Sequence, residues 1–220
     1  MTRTVLCFGD SNTHGTPPAT ALDAPSGRYG RDTRWPCLMA DRLGADWQVI
    51  EEGHPGRTTV HDDPIEGAHR NGLTVLPSLL ESHRPIDVVI LMLGTNDLKG
   101  RFSVNATDIA LSLERLIGVI RAHGCGPGGR APGILLAAPP PIDEVGCLAQ
   151  MFEGGAAKSR ALGAAIAAAA TRAGVSFSDA GAHIKVSPID GIHYDEAAHA
   201  TLADLMARAV MENFPGPERV

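Results

Sequence analysis

"IDVVILMLGTND", Ile86–Asp97, decides the fold class. Every residue from Ile86 to Leu93 is apolar except Asp87. A strand covered on one face alternates apolar and polar residues, whereas one covered on both faces reads as an unbroken apolar run. The segment therefore predicts a central strand of a parallel sheet with helices on both sides. It stops at Gly94-Thr95-Asn96-Asp97, residues suited to a turn or a helix cap.

On either side of this strand the chain alternates between short strand-like runs and helix-like stretches. Further strands are predicted at Thr4–Phe8, Trp47–Glu51, Gly133–Ala138 and Val175–Asp179. Helices are predicted at Trp35–Leu43, Leu73–His83, Thr107–His123, Gln150–Ala173 and Tyr194–Asn213. In the third of these, Ile109, Leu113, Leu116, Ile117 and Ile120 recur at helical spacing before Gly124. The pattern gives an α/β fold: one domain over residues 1–220, with a five-stranded, mostly parallel, flavodoxin-like sheet.

Composition narrows the function. The chain has 220 residues, a net charge of −6 and 44% hydrophobic residues. That is enough to bury a core, and the acidic balance argues against nucleic acid or an anionic membrane as partner. No stretch approaches the ~20 apolar residues of a membrane span, and the N-terminal apolar run is too short for a secretory signal. A cytoplasmic protein is expected. Cys7, Cys37, Cys125 and Cys147 lie far apart without CxxC spacing and read as buried free thiols. The histidines show no metal-ligand spacing, so no metal is expected.

Ligands of open parallel sheets sit beyond the carboxyl ends of the strands. Four chemistry-bearing segments fall there: "GDSN" (9–12), "EGHPGRTT" (52–59), "GTND" (94–97) and "DGIHYD" (190–195). Each alone reads as turn or cap chemistry. Together they place Ser11, Gly56, Asn96, Asp190 and His193 at one end of the sheet. A module that holds a small anion on such a sheet is the alternative, but it gives no role to Asp190 and His193.

In order and composition these four blocks resemble the SGNH (GDSL-type) hydrolase superfamily over nearly the whole chain. The strings "VLCFGDS", "LGADWQVIEEG", "RTTVHDDP", "LMLGTND" and "IDGIH" resemble its arylesterase/acyltransferase branch. The resemblance implies a serine esterase that uses no cofactor. It implies Ser11 as nucleophile, His193 as base and Asp190 as its orienter, the logic that activates an otherwise weak hydroxyl. It further implies an oxyanion hole made by the Ser11 and Gly56 backbone N–H groups and the Asn96 amide. Short acyl esters of aryl alcohols or sugars are the implied substrates, with acyl transfer to alcohols or peroxide as a side activity, and a homo-oligomer is expected. Two neighbours of the nucleophile depart from the family pattern, since Asn12 replaces a leucine and His14 a tryptophan. Both are expected to line the substrate pocket and make it polar, with Ile142, Leu148, Met151 and Phe152 of the 139–153 loop as an apolar wall.

Overall fold

A computed structural model describes residues 2–23 and 27–215. Five strands, β1 (Arg3–Gly9), β2 (Trp47–Gly53), β3 (Val88–Met92), β4 (Gly133–Ala138) and β5 (Ser176–Asp179), form one sheet in the order β2-β1-β3-β4-β5. Every pairing is parallel. Among the described residues there are six α-helices: α1 (Ser11–His14), α2 (Trp35–Leu43), α3 (Gly72–His83), α4 (Ala106–His123), α5 (Gly155–Ala173) and α6 (Glu196–Asn213).

The central strand is buried on both faces, as its composition predicts. Val89 and Leu91 point into one core with Leu6, Phe8 and the apolar stripes of α3, α4 and α5. Val88, Ile90 and Met92 point into the other with Val5, Cys7 and residues of α2 and α6. The chain leaves β1 for β2 on one side and returns to β3 on the other. The switch point between β1 and β3 thus leaves a crevice at their carboxyl ends, and this is where Ser11 and Asn96 emerge.

Two elements differ from the sequence reading. "SNTH" is a one-turn helix rather than a plain turn. Asp10 caps it by accepting the Asn12 N–H at 3.0 Å, and Gly15 ends it at φ 85°. The helix expected from Gln150 starts instead at Gly155. Gly154 takes φ 76°, a left-handed conformation that interrupts the run, and residues 146–152 form 3₁₀ turns. Three of the cysteines are buried free thiols and Cys147 is half-buried.

Candidate active site

The loops after β1, β2 and β3 and the loop before α6 enclose a cavity of about 590 Å³. Ser11, Gly56, Asn96 and His193 all line it. Ser11 is the first residue of α1, directly after its Asp10 cap, and is 5% exposed. Gly53 lets α1 sit on the end of β2, because a Cβ there would stand 2.1 Å from the His14 backbone nitrogen. Gly56 adopts φ 75°, a region that side chains disfavour.

Asp190 holds His193. Its Oδ2 stands 2.6 Å from His193 Nδ1, and its Oδ1 accepts the backbone N–H groups of His193 (2.9 Å) and Ile192 (3.0 Å). Oδ2 also accepts the Ala19 N–H at 2.7 Å. Burial by itself would raise this carboxyl. The His193 side chain and the backbone donors outweigh burial and bring it down to about 2, so Asp190 is an anion throughout the neutral range. With Nδ1 engaged by Asp190, the lone pair of His193 is left on Nε2.

Asn96 is fixed from two sides. One amide N–H donates to the Arg57 carbonyl at 3.2 Å, and Nδ2 lies 3.5 Å from Asp10 Oδ2. The second contact is at the long limit of a hydrogen bond, so that N–H is only weakly committed. Asp97, fully buried, accepts both the N–H and the hydroxyl of Thr59 and so ties the loop after β3 to the loop after β2. Asp10 is also buried. Desolvation raises its carboxyl to about 6, against the opposing pull of the Asn12 N–H, His193 and Arg57.

Several residues lie elsewhere than the sequence reading expects. Asn12 does not line the cavity. It is 1% exposed, and its amide donates to the Ile192 carbonyl (3.1 Å) while its oxygen accepts the Tyr194 N–H (3.2 Å). It therefore grips the chain on both sides of His193. His14 also stays outside the cavity, with Nδ1 3.0 Å from Thr16 Oγ1. Ile142 is buried in the core beside the start of α5, and its N–H donates to Ser159 Oγ at 3.1 Å. Phe152 does line the cavity, joined by Leu148, Met151 and Leu22 as an apolar wall. Sequence reasoning missed the charged wall, made by Glu66, Arg70 and Lys99, and the 16–22 strap, which Ala19 ties to Asp190. A signal existed for the wall: a lysine directly after an apolar Leu98 in "GTNDLKG".

Residues 7–201 match the model of the GDSL-like lipase/acylhydrolase family. The chain belongs to this family. Among solved structures, an aryl esterase from M. smegmatis is 41% identical, over 96% of this chain and 99% of that one, with a TM-score of 0.90. A carbohydrate acetylesterase from Sinorhizobium meliloti is also 41% identical, over 96% and 100%, with a TM-score of 0.90. A GDSL-like fold is shared as well with a lipase/acylhydrolase from Enterococcus faecalis at 20% identity and a TM-score of 0.68. No curated protein matched the chain.

Proposed function

We propose that this GDSL-like protein hydrolyses short-chain acyl esters, of aryl alcohols or acetylated sugars, through an acyl-serine intermediate on Ser11. Family membership and the two esterase structures at 41% identity make it a carboxylic ester hydrolase. The observation that carries the serine route is that Ser11 and His193 line one cavity while buried Asp190 holds His193 Nδ1 at 2.6 Å.

In this reading His193 Nε2 takes the Ser11 proton as Oγ attacks the ester carbonyl, and Asp190 stabilises the imidazolium. The oxyanion is met by the Ser11 and Gly56 N–H groups and by Asn96 Nδ2. Loss of one such donor costs about 10²–10³ in rate. His193 then protonates the departing alcohol, and water, or an alcohol or peroxide, releases the acyl group. An anion-binding module would leave the Asp190–His193 pair without work.

A serine-directed phosphonate tests the proposal. It should label the wild type and spare Ser11→Ala, and both Ser11→Ala and His193→Ala should lose turnover of p-nitrophenyl acetate. Unlabelled wild type, or a Ser11→Ala variant retaining more than a few per cent of activity, refutes it.

A further inference from the structure

Three charged side chains, Glu66, Arg70 and Lys99, line the same cavity as Leu148 and Phe152. Lys99 is the least expected, since its side chain is only 3% exposed although it faces the cavity. A buried ammonium is costly unless its charge and donors are met. Its Nζ donates to Glu66 Oε1 at 2.5 Å and stands 3.8 Å from Asp63 Oδ2. One short hydrogen bond and one longer ion pair leave a donor to spare on a three-donor group. Asp63 is itself taken by Arg101 at 2.9 and 3.2 Å.

Arg70 spends Nη1 on the Pro55 carbonyl and lies 3.1 Å from His54 Nε2. Its Nε, buried and 4.0 Å from Glu66 Oε2, makes no hydrogen bond, so Nη2 is the donor left uncommitted. One wall therefore presents cationic donors and a carboxylate acceptor side by side. A hydroxyl group, which both donates and accepts, fits that combination. An anion would meet the Glu66 carboxylate, and an apolar group would strip these charges of water without replacing it.

We infer that Glu66, Arg70 and Lys99 form a hydroxyl-binding subsite that selects esters whose alcohol part is polyhydroxylated. The inference rests on the esterase reading above and narrows its substrate class. The cavity, at about 590 Å³, is far larger than a short acyl group needs, which leaves room for a sugar-sized alcohol. The apolar wall meets the C–H face of such a ring while the charged wall meets its hydroxyls. A site built to bond hydroxyls rejects an analogue lacking them, because its own polar groups are then left unpaired.

The same three side chains also join the loop after β2 to the loop after β3, so the experiment separates selection from bracing. The substrates are 6-O-acetylglucose and tetrahydropyran-2-ylmethyl acetate, which share a six-membered oxygen-containing ring and an acetyl ester and differ in hydroxyls. kcat/KM is measured for wild type, Arg70→Met, Lys99→Met and Glu66→Gln. The ratio of sugar ester to bare ester should fall roughly 10- to 100-fold in the two cation variants, and less in Glu66→Gln. Lys99→Arg should restore part of it, and near-isosteric Glu66→Gln decides the matter should Lys99→Met not fold. Equal falls on both substrates mean bracing alone and overturn the inference, as does a wild type that prefers an acetylated glucuronate to both.

Calorimetry of 6-O-acetylglucose on Ser11→Ala, with and without Arg70→Met, needs no turnover. Binding that weakens on Arg70→Met in a protein whose wild type hydrolyses neither ester retires the esterase reading and keeps the subsite. Binding indifferent to Arg70→Met overturns the subsite whatever the wild type hydrolyses.

Discussion

Replacing Asn12 by leucine, the residue the family often carries after its nucleophile, is expected to damage the protein rather than widen its acyl preference. The Asn12 side chain makes two buried hydrogen bonds, to the Ile192 carbonyl and from the Tyr194 N–H. Leucine makes neither, and each stranded backbone group costs about 1–3 kcal/mol. Added apolar burial returns up to ~2 kcal/mol, so a net loss of about 2 kcal/mol is expected. For a chain of this size that lowers Tm by roughly 4–8 °C.

The kinetic effect should be larger. Ile192 and Tyr194 flank His193, so the substitution loosens its imidazole relative to Ser11, and in the proposed mechanism a ~1 Å misplacement can cost about 100-fold in rate. The assay is thermal unfolding together with kcat and KM on p-nitrophenyl esters from acetate to octanoate. kcat should fall at least about tenfold on every ester, with little change in the preferred chain length. A variant with unchanged Tm and kcat but an optimum moved toward longer esters would show that Asn12 is a pocket wall and that the reasoning is wrong.

Two further expectations follow from buried groups and close contacts. His199 on α6 is fully buried, and burial lowers it to about 4, so it resists the proton that the unfolded chain accepts near pH 6.5. It therefore removes stability as pH falls from about 6.5 to 4, by about 3 kcal/mol. Asp10, raised to about 6, acts in the opposite sense: the folded state takes up its proton first, so acidification from pH 6 to 4 adds stability. Urea unfolding at pH 4, 5, 6 and 7 should show His199→Gln gaining relative to wild type on acidification and Asp10→Asn losing; parallel profiles for all three proteins would contradict this. Gly53→Ala should cost at least about 2–3 kcal/mol and lower kcat, because its Cβ would meet the immovable backbone of Thr13 and His14 beneath Ser11; a variant with wild-type Tm and kcat would disprove that contact.

By itself the sequence determined the strand order's ingredients and the end of the sheet where the chemistry lies. The run from Ile86 to Leu93 is legible because burial on both faces leaves a local mark, an unbroken apolar stretch that few other settings produce. Glycine-rich segments after successive strands then place Ser11, Gly56, Asn96 and His193 near one another, since parallel strands deliver their following loops to one edge.

Only the tertiary structure decided which neighbouring side chains face the cavity. Asn12 is adjacent to Ser11 in the chain, yet partners 180 and 182 residues away turn it into the protein. Ile142 lies in the loop that forms a wall but is drawn into the core beside α5. The charged wall comes from Glu66 and Arg70 after β2 and Lys99 after β3, joined by the Lys99–Glu66 ion pair, which no local window contains. A side chain's direction in a loop or a one-turn helix has no periodicity to reveal it; long-range hydrogen bonds and charge pairing set it, and these exist only once the strands have brought the loops together.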